Sequence, residues 1–144
     1  MADWRRRAEG FTLVELMVVI VIIGLAAAAV VLAMPEQGGS VRSEAVRFAA
    51  RAKAARDTAI LESRPVMMRI GPAGYAVTRR AGGEWRTDAD YEWAEGTTAE
   101  IAGAGGGSVR FDPTGLARPA AVVLRRGGRR AVIEIGGDGA VRVE

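Results

Sequence analysis

Glu15 is the residue that most needs a chemical explanation: it places a carboxylate inside the apolar run "GFTLVELMVVIVIIGLAAAAVVLAM", residues 10–34. A charge at the centre of a bilayer costs a few kcal/mol or more and less near the interface, so an acid kept in such a run is a functional candidate. Elsewhere the composition removes most reactive chemistry. The chain has no His and no Cys, so the commonest general base, thiolate nucleophiles, Cys-based zinc sites and disulfides are all excluded. Ser and Thr hydroxyls lack a His partner, the one Lys, Lys53, falls on the charged face of a helix, and no two acids are marked as a hydrolytic pair. The expectation is a chain that is not an enzyme, with no catalytic residue, no cofactor, no metal and no small-molecule substrate.

Two further groupings invite a binding role. Arg125, Arg126, Arg129 and Arg130 flank Gly127-Gly128, where planar guanidinium forks could meet phosphate; the plain alternative is a charged, exposed turn. The formal net charge of +3 is too small to imply a nucleic-acid partner for the chain as a whole. The Gly-rich "AGAGGGS" lacks the Lys-Ser/Thr ending of a phosphate loop, and Asp88, Asp90, Glu92 and Glu95 lack the spacing of a calcium loop.

The elements that must position these residues follow from periodicity. Leu16 to Met34 is uncharged over about 19 residues, roughly 28 Å as a helix, which is bilayer length. Arg5, Arg6 and Arg7 precede it and should stay cytoplasmic, sending the remainder across the membrane. Pro35 and Gly38-Gly39 mark a hinge. Val41, Ala45, Phe48, Ala52, Ala55 and Ala59 then recur at spacings of four and three, predicting an amphipathic helix capped by Ser40 and ended by Arg64-Pro65.

After Pro65 the pattern becomes strand-like, with "PVMMRI", "YAVTRR", "YEWAE", "SVRF", "AAVVLRR", "RAVIEI" and "AVRVE" as candidate strands. The last three read as a meander. "GTTAEIAGAGGGS" reads as a flexible loop, and Trp85 and Trp93 as core residues in preference to partner-facing aromatics. The expected organisation is a segment 1–10, an apolar helix 11–34, an amphipathic continuation 35–64 and a β-rich domain 65–144.

At "GFTLVELMVVIVIIGLAAA" the residues become diagnostic: Gly10-Phe11-Thr12-Leu13 followed by Glu15 resembles the class III signal of type IV pilins and type II secretion pseudopilins. An ordinary secretory signal is cut after its apolar region, whereas this one is cut before it, so the apolar segment stays in the mature chain. The resemblance implies cleavage by a prepilin peptidase between Gly10 and Phe11, N-methylation of Phe11, and pairing of Glu15 with the N-terminal amine of a neighbouring subunit during assembly.

"FAARAKAARDTAILESRPVMMRI" and "VRFDPTGLARPAAVVLRRGGRRAVIEIGGDGAVRVE", with Phe111, Pro113 and Gly115 in the matching turn, are similar to the GspH/FimT family. That resemblance implies an α+β, pilin-like fold: a long N-terminal helix, its first half transmembrane, packed on an antiparallel β-sheet domain of two sheets. It also implies a single-pass protein of the inner membrane with its C-terminal domain in the periplasm, whose partners are other major and minor pseudopilins. Such minor pseudopilins join the type II secretion pseudopilus that exports folded proteins. FimT-like members serve type IV pili instead, and some bind DNA through a Gly-Arg-x-Arg motif. Here Gly128-Arg129-Arg130-Ala131 lacks the second Arg of that motif, so Arg129 and Arg130 are the nearest candidate nucleic-acid contacts.

Overall fold

The computed structural model describes residues 12–33, 40–103 and 105–144. The chain divides into two units, Met1–Gln37 and Gly38–Glu144. The first contains helix α1, Leu13–Ala33, whose residues Leu13–Val30 are all exposed and form a stretch long and apolar enough to cross a membrane.

The second unit is built on helix α2, Val41–Leu61. Ser40 caps it, its Oγ accepting from the Ser43 N–H at 3.2 Å, and Glu44 lies in the first turn. All six residues of the expected apolar face are buried, with Ala45, Phe48, Ala52 and Ala59 fully so. A face of alanines leaves Phe48 as the one bulky knob, so strands can approach the helix backbone closely. The helix ends three residues before the expected stop. Ser63 sits at φ 51°, its N–H bonded to the Ile60 carbonyl at 3.2 Å, and the Arg64 N–H reaches the Ala59 carbonyl at 3.1 Å. These are the paired bonds of a Schellman stop, with Ser where Gly is usual. The residues that would join α1 to α2 as one continuous helix, 34–39, lie outside the described residues.

Eight strands follow: β1 Val66–Ile70, β2 Gly74–Ala81, β3 Glu84–Glu92, β4 Thr98–Gly103, β5 Ser108–Phe111, β6 Ala120–Arg126, β7 Arg129–Ile135 and β8 Val141–Val143. They form two antiparallel four-stranded sheets in the orders β3-β2-β1-β5 and β4-β6-β7-β8. The fold is thus the expected one for the domain, a helix packed against two sheets. The core joins Phe48 to Val66, Met68, Val109 and Phe111 of one sheet and to Val122, Leu124, Ile133 and Ile135 of the other. The β6-β7-β8 meander forms as expected, and both Ile133 and Ile135 point inward.

Two expectations for the middle of the chain are corrected. "YEWAE" was expected to be a strand; the strand instead occupies Glu84–Glu92, joined to β2 through Gly82-Gly83 at φ 60° and 87°. Two adjacent left-handed residues match the right-handed twist of the flanking strands. β3 is an edge strand with no fully buried residue; Trp85, Thr87, Ala89 and Tyr91 alternate with charged residues, but so little of this set is strongly apolar that the strand signal is weak. The expected loop "GTTAEIAGAGGGS" contains β4, paired with β6 from Thr98↔Arg125 to Gly103↔Ala120. Only Ala99 of this strand is buried, so hydrophobic pattern could not reveal it.

Candidate functional site

Thr12 organises the start of α1. Its carbonyl accepts the Leu16 N–H and its Oγ1 accepts the Glu15 N–H, both at 3.2 Å. Thr12 is therefore the cap and Glu15 the third helical residue, the spacing of a capping box. Glu15 lies in the first turn, where unpaired backbone N–H groups carry the positive end of the helix dipole, a favourable place for a carboxylate. Gly10 and Phe11, the expected cleavage and methylation residues, lie outside the described residues, as do Arg5, Arg6 and Arg7.

The other candidate, the arginine cluster, is brought together by the β6–β7 hairpin. Gly127 and Gly128, at φ 53° and 75°, make a two-residue turn, and the register sets Arg126 opposite Arg129 and Arg125 opposite Arg130. Arg129 and Arg130 are exposed; Arg125 reaches Glu100 at 3.7 Å. A shallow groove of about 340 Å³ runs between this tip and residues Gly96 and Thr98.

Trp93 is in the core as expected, with its Nε1 donating to the Gly71 carbonyl at 2.9 Å, but Trp85 is exposed on the edge strand and corrects that expectation. Its strand has no sheet or helix beyond it among the described residues. Of the acidic segment, Asp88 accepts from Arg79 Nη2 at 2.9 Å, and Arg79 also donates to Glu62 at 2.7 Å.

Sequence reasoning missed two polar anchors of α2. Arg51 donates to the Tyr75 hydroxyl at 2.5 Å and lies 3.7 Å from the centre of the Tyr91 ring, beside an aromatic group in which Phe48 meets Tyr75 edge-on at 4.9 Å. Burial pushes the Tyr75 phenol up, against the opposing pull of Arg51. Arg56 donates from Nε to the Gly115 carbonyl and from Nη2 to the Asp138 carbonyl, tying two turns to the helix. Within the first of those turns Asp112 Oδ1 accepts from the Thr114 hydroxyl at 2.6 Å, the Thr114 N–H at 2.8 Å and the Leu116 N–H at 3.1 Å. Led by the Thr114 hydroxyl, these donors hold the Asp112 carboxyl below its ordinary range. The Arg side chains on the helix's polar face gave no sign of which loops they would reach.

Comparison with known proteins agrees with this geometry. Residues 5–31 match the prokaryotic N-terminal methylation motif, and residues 44–139 match Type II transport protein GspH. No curated protein matches the chain. Among solved structures, the fold is similar to the minor pseudopilin EpsH from the type 2 secretion system of Vibrio cholerae. The TM-score is 0.61 at 15% identity, over 69% of this chain and 92% of that one. It is similar also to the type IV minor pilin FimU of Pseudomonas aeruginosa, with TM-score 0.61 at 16% identity over 72% and 87% of the two chains. E. coli GspH gives TM-score 0.60 at 15% identity over 78% and 94%. At such identities the structures speak for a shared pilin-like fold, and the functional assignment rests on the sequence match, which spans more than half of the chain. The chain belongs to the GspH family of type II transport proteins.

Proposed function

We propose that the chain is made as a precursor, cut between Gly10 and Phe11 by a prepilin peptidase, and methylated on the new N-terminal Phe11. Residues 11–34 then anchor it in the inner membrane, with the β-rich domain in the periplasm, until it enters the pseudopilus beside other pseudopilins. It acts there as a structural subunit without catalysis. One observation carries this reading: Glu15 sits in the first turn of an exposed, otherwise apolar helix of bilayer length.

The physics of Glu15 follows from its position. After cleavage it is the fifth residue, about one helical turn from the new amine of Phe11. A carboxylate and an ammonium are each costly in an apolar filament core and become tolerable when they meet, so pairing Glu15 with a neighbour's amine fixes axial register. Glu15→Ala should leave membrane insertion intact and abolish incorporation into filaments; normal export of secreted protein by cells carrying that variant would overturn the role.

A second reading, a FimT-like minor pilin of a type IV pilus that contacts DNA, is supported by the likeness to FimU and by the exposed Arg129 and Arg130. Salt-dependent DNA binding lost in Arg129→Ala/Arg130→Ala would favour it. Absence of binding near physiological salt would rule it out.

A further inference from the structure

On strand β1, Val66, Met68 and Ile70 point into the core, so Met67 and Arg69 face the other way. The register carries Arg110 of β5, Arg80 of β2 and Trp85 of β3 onto that same outer face. Trp85 and Arg110 belong to the two edge strands, yet Arg110 Cζ lies 5.8 Å from the centre of the Trp85 ring, so both side chains lean inward over β1 and β2. Beside them opens a cavity of about 490 Å³, walled by Met67 and Leu116 as apolar groups and by Arg110 and Arg118 as basic ones. Leu116 is 51% exposed, although its turn is held by backbone bonds and by Asp112 and needs no large apolar side chain there.

Charge is divided unevenly over this face. At one end Arg69 shares a shallow groove with Asp90 and Glu92, so positive charge is balanced there. At the other end Arg80, Arg110 and Arg118 are exposed, and their guanidinium groups have no hydrogen bond or ion pair to a described residue. The acid lining the cavity, Asp112, commits its Oδ1 to the Thr114 hydroxyl and to the N–H groups of Thr114 and Leu116. An occupant of this end therefore needs anionic oxygens for the arginines and an apolar side chain for the Met67–Leu116 wall. A nucleic-acid strand does not match: its backbone needs a continuous basic track, which Asp90 and Glu92 interrupt, and its phosphates would meet the apolar wall. Exposed Trp, Met and Arg together are instead the side chains enriched where proteins meet proteins.

We infer that the outer face of the β3-β2-β1-β5 sheet, from Trp85 to the Met67–Leu116 cavity, is a docking surface for an acidic segment of another protein. An apolar side chain of that segment fills the cavity, and carboxylates flanking it meet Arg110 and Arg118. Trp85 adds flat apolar area next to Arg110, and exclusion of water under the partner strengthens each charge-assisted hydrogen bond. The surface lies wholly within the unit Gly38–Glu144 and is separate from the contact proposed for Glu15.

The test places a benzophenone-bearing amino acid at position 116 of the full chain, in the cells that make it, and identifies the peptide joined to it on irradiation. The expected adduct is to a second protein, through a peptide in which Asp and Glu outnumber Lys and Arg. Arg110→Glu/Arg118→Glu should lower the adduct yield at least about tenfold, because two charge-assisted contacts become repulsive. Arg129→Glu/Arg130→Glu makes the same change in net charge on the other sheet and should leave the yield unchanged. If the first of these variants melts at a lower temperature than the parent, Arg110→Gln/Arg118→Gln carries the comparison in its place. The proposal is overturned by the absence of any adduct, by a joined peptide without an excess of acids, or by equal yields from the two charge-reversed variants. Adducts to lipid, to nucleic acid or to a second copy of this chain overturn it as well.

Discussion

The Arg56 Nε donates to the carbonyl of Gly115 at 3.1 Å, joining residues 59 positions apart in sequence. The same guanidinium reaches the Asp138 carbonyl at 3.2 Å, so one side chain of α2 closes both the 112–116 turn and the turn between β7 and β8. Arg56→Ala should cost about 2 kcal/mol, because two carbonyls lose a charged donor at a half-buried position. Thermal or urea unfolding of the protein would measure it, and an unchanged midpoint would mean that water replaces the guanidinium freely.

Gly115 itself sits at φ 83°, and a Cβ there would come within 2.7 Å of Ile60 Cδ1. Gly127 has φ 53° and open space around it. Gly115→Ala combines backbone strain with overlap and should cost about 2–4 kcal/mol, whereas Gly127→Ala should cost about 1 kcal/mol from conformation alone. Equal losses in unfolding experiments would show that the Ile60 contact yields without cost.

Ser63 offers a gain. It occupies the left-handed position of the α2 stop at φ 51°. Glycine has no steric penalty in that region, so Ser63→Gly should raise stability by roughly 0.5–1 kcal/mol, visible as a higher melting midpoint. A lower midpoint would mean that the added freedom of the unfolded chain outweighs the relieved strain.

Acid stability should depend on Asp112. Its carboxyl is held below the ordinary value first by the Thr114 hydroxyl and then by backbone N–H groups, so the folded pKa lies under the unfolded one. The contribution is therefore present above the unfolded value, near 4, and lost as pH falls through the folded value. Asp112→Asn should flatten the decline in stability below about pH 4 while leaving the neutral-pH fold intact. A slope identical to that of the unsubstituted protein would contradict the assignment.

What the sequence disclosed depended on how far a residue's neighbours were local. The alanine face of α2 was legible because its period of three and four is set by the helix alone, and all six of its residues are buried. The β6-β7-β8 meander was legible because Gly127-Gly128 and the turn at 136–139 punctuate alternating apolar residues. β3 and β4 were not: β3 pairs locally with β2 across Gly82-Gly83 but has no fully buried residue, and β4 buries only Ala99 and exists through pairing with the distant β6. Arg51 and Arg56 carried no local signal of their roles because their partners, Tyr75 and Gly115, lie far along the chain. The capping of α1 by Thr12 was implicit in the Thr12-to-Glu15 spacing, since a cap and its third residue are local by construction.

The central claim is that this chain carries a retained apolar helix released by cleavage ahead of it, with Glu15 near its new end. Intact-mass measurement of the protein extracted from membranes of cells with active prepilin peptidase tests it most directly. The account predicts a chain beginning at Phe11 and bearing one added methyl group. A chain still beginning at Met1, or one cut beyond the apolar helix, would contradict it.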